Sequence, residues 1–491
     1  MARPLLCVTV TAPTTAELRR RRDAVADADL IELRLDSVDD PSAAGALAGR
    51  TRAVIVTCRP TWEGGQFRGS EDERRRLLVE AHTLGAEFID VEWRARFDDV
   101  LAETGGRRVV LSTHDFRSTP SDLSEVARAM RATGAQVLKI ATKASALSDC
   151  LRLMELGRDE SKRGSIVVVG MGEAGLPSRM LAGRFGSAWT YAGNLNELGQ
   201  LSASTLVDEY RFRTLNESTE IYGVVGSPVS HSASPAMHNA AFKAARLNAV
   251  YLPFHAADAA DFMTFARAIG IKGASVTIPF KVALFDQVDE ANPVARRIGA
   301  INAIRVVDGR WLGGNTDAAG FLRPLQDGGV PIGAMRASIL GAGGAARAVA
   351  IALASTGGDV TVHARTRERA EDVAMLVSGK VGPWPPQPGS WDLLVNCTPI
   401  GMHPRIDDTP MPADALTGQL VYDLVYNPPA TRLVRDAIGA GLNAIGGLDM
   451  LVAQAQEQFQ WWTEMRPPAG AMREAAEKRL AEFTVHENHF A

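Results

Sequence analysis

The run "QVLKIATK" at residues 136–143 sets Lys139 among apolar neighbours. Lysine is rarely buried unless it is paired or used. A desolvated lysine near other cations has a lowered pKa, the state in which its amine attacks a carbonyl. His114 closes a second such run, "VVLSTHD", and imidazole is the natural proton carrier near neutral pH. Glu32 and Arg34 in "IELRLD" stand two apart and so share a strand face. Arg59 ends "AVIVTCR", Glu63 follows in "RPTWEGG", and Arg179 lies in "GLPSRMLAGRFG". Taken singly, each has a plain structural reading: a rim ion pair for an Arg or Glu, a turn for His114, a helix cap for Asp115. Together, an amine, a proton carrier and guanidinium groups suited to a carboxylate make a constellation for imine chemistry.

A second constellation lies downstream. "GAGGAA", from Gly341 through Ala342, Gly343, Gly344 and Ala345, follows a strand pattern and opens a helix pattern, the context of a dinucleotide turn. The next strand, "DVTVHART", ends without an acid to take a ribose hydroxyl and continues into Arg365, Thr366, Arg367 and Arg369. Positive charge is poorly placed at a helix start unless an anion binds there, and an additional 2′-phosphate supplies one. Upstream stand Ser232 and Ser234, the latter before Pro235 and so expected as a helix N-cap. Thr277 and Lys281 lie in "SVTIPFK", Asn302 in "GAINAI", and Asp317 in "GGNTDAAGF", where it either caps a helix or does chemistry.

These side chains need scaffolds. The 491 residues exceed one hydrophobic core. From residue 5 to about 210, eight short β-branched runs alternate with helical stretches, which predicts a (β/α)8 barrel, polar residues gathering at the strand ends where barrel sites lie. "RFRTLNESTEIYG" reads as a linker near 212–220. Beyond it a second α/β region contains a Rossmann pattern, and "KVGPWPPQPGS" (380–390) reads as a loop within it. The net charge of −4 gives no signature of nucleic acid or membrane. No stretch has transmembrane length. Cys7, Cys58, Cys150 and Cys397 lack metal or disulfide spacing, so a reduced, cytoplasmic protein without a metal is expected.

"ELRLD", "TCRPTWEGG", "LSTHDF", "VLKIAT" and "SRMLAGRFGSAWTYA" resemble the strand-end motifs of type I 3-dehydroquinate dehydratases over residues 1–212. The resemblance implies that Lys139 forms an imine with the substrate ketone. His114 then moves protons under the guidance of Glu63, and Glu32, Arg34, Arg59, Phe116, Met171, Arg179 and Gln200 line the pocket. Asn196 departs from the serine common there. "SPVSHSASP", "SVTIPFK", "GAINA", "GGNTDAAGF", "LGAGGAARA", "YDLVYNPPATRL" and "GLDMLVAQA" resemble shikimate dehydrogenase, with a substrate domain at 221–328 completed by 455–491 and a Rossmann domain at 329–454. The resemblance implies that Ser232, Ser234, Thr277, Asn302, Tyr426 and Gln454 hold the hydroxy-acid, with Lys281 and Asp317 at the reacting carbonyl. It also implies NADP(H) on the glycine turn, with Arg365, Thr366, Arg369, Asn396, Thr398 and Gly447 beside it. Ala303 and Ala364 depart from that pattern. Two consecutive reactions follow, 3-dehydroquinate to 3-dehydroshikimate and then to shikimate. An NAD-dependent quinate dehydrogenase and a ligand-sensing regulator are the alternatives. The arginines oppose the first, and the joint presence of Lys139, His114, Lys281 and Asp317 opposes the second.

Overall fold

A computed structural model describes residues 3–194, 199–230 and 232–487. Cα packing divides the chain into two units. One is Met1–Thr219 with Pro228–Ser230 and Leu252–Gly270, and the other is Glu220–Ser227 with His231–Tyr251 and Ile271–Ala491.

The first unit is built on eight parallel strands: β1 (Leu5–Val10), β2 (Leu30–Arg34), β3 (Ala53–Thr57), β4 (Phe88–Glu92), β5 (Val109–Asp115), β6 (Val137–Lys143), β7 (Ser165–Met171) and β8 (Trp189–Ala192). They run in the order β7-β6-β5-β4-β3-β2-β1-β8. Ala188 N–H donates to Ile166 O at 2.8 Å across the remaining seam, so the sheet curls into a near-closed (β/α)8 barrel. Side chains alternate along each strand, and the barrel interior is therefore stacked in layers two residues apart. Cys7, Leu30, Ile55, Phe88, Val110, Val137, Val167 and Trp189 form an apolar layer. Two residues further along the same strands lie Thr9, Glu32, Thr57, Asp90, Ser112, Lys139, Val169 and Tyr191. Lys139 is thus the third residue of β6 rather than its end, the first polar step above an apolar plug.

The outer helices are set by local signals. Ser70 and Glu73 form a reciprocal capping box that opens the helix Glu71–Thr83. That helix carries Arg74, which is fully buried and pairs with Glu92 at the top of β4. Asp115 caps no helix; its Oδ1 accepts from Arg117 N–H and Ser118 N–H at 2.8 and 3.0 Å, closing the turn after β5.

The strands β9 (Glu220–Gly226), β10 (Ala249–His255), β11 (Gly273–Val276), β12 (Glu290–Ala291), β13 (Ala303–Val307) and β14 (Arg310–Gly314) form a mixed sheet ordered β10-β9-β11-β13-β14-β12. A parallel sheet follows, with β15 (Arg336–Leu340), β16 (Asp359–His363), β17 (Lys380–Val381), β18 (Leu393–Asn396), β19 (Leu420–Asp423) and β20 (Asn443–Ile445) ordered β17-β16-β15-β18-β19-β20. This is the doubly wound order, whose reversal between β15 and β18 opens a crevice at the strand ends. Its core packs Ala346, Val349, Leu353 and Phe321 on Ile339, Val362, Val395 and Tyr422. The first two residues of the expected 380–390 loop join the sheet as β17. The helix Gly447–Thr463 runs unbroken through residues 454 and 455.

Candidate active sites

All ten side chains that the dehydratase resemblance singled out line one cavity of the barrel: Glu32, Arg34, Arg59, Glu63, His114, Phe116, Lys139, Met171, Arg179 and Gln200. They come from the ends of different strands and from the loops that follow them, and the barrel alone brings them together. Lys139 Nζ lies 3.1 Å from Asp90 Oδ2 and 3.3 Å from Glu32 Oε1, and 4.3 Å from the centre of the Tyr191 ring. Its nearest charged partners are therefore carboxylates, where the sequence suggested cations. Glu32 also accepts from Thr9 Oγ1 at 2.9 Å and Thr57 Oγ1 at 3.0 Å. Arg59 donates to Glu92 at 2.7 Å, Ser112 at 2.8 Å and Asp90 at 2.9 Å. Much of its guanidinium is thus spent on the acidic residues of β4 rather than left for a substrate. Arg34 is held bidentately by Asp36 at 2.8 and 2.7 Å. Burial pulls the Arg179 guanidinium down to about 10.

His114 and Glu63 form a dyad. Glu63 Oε1 lies 3.0 Å from His114 Nδ1 and accepts the His114 backbone N–H at the same distance. With Nδ1 turned to Glu63, Nε2 is the nitrogen left to serve a substrate. Burial, and then the Arg59 and Lys139 cations, hold the imidazole well below its ordinary range, so it is a neutral base. Burial pushes Glu63 up to about 7 against the pull of Arg59. The Phe116 ring lies parallel to His114 at 6.1 Å and presses on Gly64. A Cβ at Gly64 would come within 2.4 Å of that ring, and its φ of +76° is left-handed. Glycine there lets Glu63 and Phe116 approach His114 from two sides. Asn196 lies outside the described residues.

In the second unit Lys281 Nζ pairs with Asp317 Oδ2. Asn302 Nδ2 donates to Asp317 Oδ1 at 2.7 Å and faces Gln454 Oε1 at 3.2 Å. Asp317 opens the helix Asp317–Asp327, but Thr316 occupies the cap position, so the carboxylate is given to Lys281 and Asn302. Ser234 likewise lies inside its helix, Ser234–Ala244, with Ala233 at the cap. It is Ser232 Oγ that accepts the Ser234 N–H, at 3.2 Å, so the capping expected of Ser234 falls to Ser232. Burial raises the Tyr426 phenol against a smaller opposing pull from Ser232. Burial likewise raises Tyr251, against smaller pulls from Ser275 and then Ser234. Thr277, half-buried just past β11, is fixed by its N–H to Val225 O at 2.9 Å.

The glycine turn follows β15 at the crevice. Gly341 has φ +108°, and a Cβ there would press on Thr398 and Cys397, whereas a Cβ at Gly343 would meet nothing. Open space stands over the turn at the N-terminus of the helix Gly344–Ser355. Ala342 and Ala345 are half-buried beside it, while Arg365, Thr366 and Arg369 are exposed at the end of β16. Among the described residues neither Arg365 nor Arg369 has a carboxylate partner. These residues fit a dinucleotide carrying an extra phosphate. A Cβ at Gly344 would stand 3.2 Å from Lys281 Cδ, so the turn packs directly on the lysine. Gly447 is demanded by packing, since a Cβ would lie 2.3 Å from Leu424 O. Asn396 is fully buried. Its amide donates to Asp423 Oδ1 at 2.9 Å and its oxygen accepts from Thr398 N–H and Oγ1 at 3.0 and 2.7 Å. It shapes the turn that presents Thr398 rather than reaching out itself. Ala364 is half-buried after β16, and Ala303 is buried across the ladder from Ser275.

Sequence reasoning missed Asp90, Glu92, Ser112 and Tyr191 in the barrel and Tyr251, Ser275 and Gln458 in the second unit. "FIDVE" carried a signal, because two acids two apart in an apolar strand share one face.

Comparison with known families places these observations. The type I 3-dehydroquinase family matches residues 6–217. The shikimate dehydrogenase substrate binding domain matches 224–304, and the shikimate 5′-dehydrogenase C-terminal domain matches 447–477. Over 479 residues the chain is 35% identical to the bifunctional 3-dehydroquinate dehydratase/shikimate dehydrogenase, chloroplastic, of Arabidopsis thaliana, covering 90% of this chain and 78% of that one. It is 44% identical to the NADP(+) shikimate dehydrogenase of Moorella thermoacetica, over 52% of this chain and 92% of the relative. The shikimate 5-dehydrogenase of Thermus thermophilus, solved in complex with NADP(H) and shikimate, superposes with TM-score 0.50 at 37% identity, over 53% of this chain and 99% of that structure.

Proposed function

Because the chain belongs to the family of bifunctional 3-dehydroquinate dehydratase/shikimate dehydrogenases, we propose that its barrel converts 3-dehydroquinate to 3-dehydroshikimate and its second unit reduces that product to shikimate with NADPH. The observation that carries the first half is the convergence of Lys139 and the His114–Glu63 dyad on one cavity. The Lys139 nitrogen bonds to the ketone carbon, and the carbonyl oxygen leaves as water. The resulting cationic imine draws electrons from the neighbouring carbon. Neutral His114 takes that carbon's proton through Nε2 and returns one to the departing hydroxyl, with Glu63 holding Nδ1. Water then hydrolyses the product imine to release the ketone and restore the Lys139 amine. Arg34, Arg59, Arg179, Glu32, Gln200, Phe116 and Met171 enclose the substrate.

For the second half, segment 329–454 holds the cofactor and 221–328 with 455–491 holds the hydroxy-acid. Gly341, Ala342, Gly343, Gly344 and Ala345 would hold NADPH, with Arg365, Thr366 and Arg369 for its 2′-phosphate, and the bound cofactor would supply the hydride. Lys281 gives a proton to the oxygen that becomes a hydroxyl, and Asp317, oriented by Asn302, holds the ammonium in place. Ser232, Ser234, Thr277, Tyr426 and Gln454 bind the carboxylate and ring hydroxyls. No helix among the described residues is long and apolar enough to cross a membrane. With four free thiols, a cytoplasmic setting suits the reading. Incubation with 3-dehydroquinate and NADPH should yield shikimate with loss of nicotinamide absorbance. Accumulation of 3-dehydroshikimate without NADPH oxidation would refute the second half, and no dehydration would refute the first.

A further inference from the structure

We propose that Asp90 is a further catalytic residue of the dehydratase site, the fixed anion that keeps the Lys139 imine protonated. The inference deepens the imine reading and rests on it. Asp90 stands one inward step above Phe88 on β4, fully buried, with Oδ2 shared between Lys139 Nζ at 3.1 Å and Arg59 at 2.9 Å. Ser112 Oγ donates to its other oxygen. Three donors, from β5, β6 and the segment after β3, therefore hold it ionised and in place.

Around it three cations, Lys139, Arg59 and Arg74, interlock with three anions, Asp90, Glu92 and Glu32. Imine formation preserves this balance. The ammonium and ketone become an iminium and water: the nitrogen sheds a proton to attack, the carbonyl oxygen departs as water with two of the original three hydrogens, and the iminium ends with the same positive charge that the ammonium began with. A neutral imine would leave Asp90 and Glu32 facing an uncharged nitrogen, which is costly for buried carboxylates. It would also be a weak electron sink, since only the cation acidifies the adjacent carbon. The titratable and charged groups that share the cavity with Lys139 or act on it are Cys7 from β1, Glu32 and Arg34 from β2, Arg59 and Glu63 after β3, Asp90 from β4, His114 from β5, Arg179 after β7 and Tyr191 from β8. Of these only Glu32 and Asp90 put a carboxylate on Nζ. Glu32 is held by two threonine hydroxyls, whereas Asp90 alone is locked by a guanidinium. Burial works against its charge, yet Arg59 and Lys139 hold it far below the ordinary carboxylate range.

The test is the pH dependence of kcat for dehydration by the full chain and its Asp90→Asn variant, alongside borohydride trapping with 3-dehydroquinate and mass analysis of Lys139. The expected result is an adduct in both proteins near pH 6, with the alkaline limb of kcat in Asp90→Asn moved about 1–3 pH units toward acid. Asp90→Glu, which keeps the charge, should restore part of the range. Coincident alkaline limbs in the unmodified protein and Asp90→Asn would overturn the role of Asp90 while leaving the imine standing. No adduct in the unmodified protein would overturn both. Should the Asn variant fail to fold, the unmodified protein labelled with 15N-lysine answers alone. At substrate–product equilibrium its imine nitrogen should stay protonated to pH 9, and a neutral imine signal by pH 8 would refute the proposal.

Discussion

His238 lies beneath the dehydrogenase site, one helical turn beyond Ser234, and is fully buried. Its ring stacks on Tyr251 with centroids 4.4 Å apart, and neither nitrogen has a hydrogen-bond partner among the described residues. Burial pushes its imidazole from 6.5 down to about 3. The folded state thus refuses a proton that the unfolded chain accepts below pH 6.5. Stability unaffected above that value falls as the pH drops from 6.5 towards 3 and then levels off. At pH 5 the loss is about 2 kcal/mol, at about 1.4 kcal/mol per pH unit. His238→Leu, close in volume, removes the titration; its packing change is independent of pH and cancels when each protein is compared with itself. Asp423, pushed up to about 6 by burial, gains stability on acidification, but equally in both proteins. Urea unfolding at pH 7.5 and pH 5.0, followed by dehydrogenase activity and by fluorescence of Trp462, whose ring lies 5.1 Å from His238, gives the comparison. The unmodified protein should lose about 2 kcal/mol more than His238→Leu between the two conditions. Equal losses would show that His238 is hydrated or partnered, and the reasoning would fail.

His114→Ala should still give the borohydride adduct on Lys139 while losing elimination, since the amine survives and the proton carrier does not; an adduct on Lys143 would refute the imine assignment. Lys281→Ala and Asp317→Asn should each remove most dehydrogenase turnover through kcat, and the double variant should be little worse, because the two act as a unit. Dehydratase activity should be unchanged in all three, and a normal kcat with only a raised KM for Lys281→Ala would reassign it to substrate binding. Removing Arg365 should cut the preference for NADP over NAD about 10- to 100-fold, the scale of a charge-assisted hydrogen bond. Equal use of both cofactors by the unmodified protein would contradict the phosphate reading of the strand end.

The barrel and its Lys–His centre were legible because each strand end carries its own short motif, and the period of two fixes which residues point inward. Asp90 and Glu92 obey the same period, yet their importance depends on Arg59 and Arg74, which reach them from the segment after β3 and from an outer helix. A linear string does not display such cross-strand pairing. The swap of roles between Ser232 and Ser234 was hidden for a related reason. Sequence placed Pro235 at the first helical position, and the helix begins one residue earlier. The resemblance set Asn396 beside the cofactor, but Asp423 and Thr398 engage its amide from the inside.

A chain of amides runs from the dehydrogenase carboxylate into the core, and its sense is decided at one point. The Thr316 backbone N–H, which can only donate, meets Asn302 Oδ1 at 2.8 Å. That leaves Asn302 Nδ2 for Asp317 and Gln454 Oε1, and Gln454 Oε1 in turn takes Gln458 Nε2 at 2.8 Å. Gln458 must then offer its oxygen to Ser275, and Ser275 its own to Tyr251. Every group along the line is oriented like dominoes leaning one way, with a single unreversible peptide as the first. Reversing Gln454 would turn a donor toward two donors, and reversing Gln458 an acceptor toward an acceptor, so the direction of the hydrogen bond on Asp317 is remembered as far away as the Tyr251 phenol.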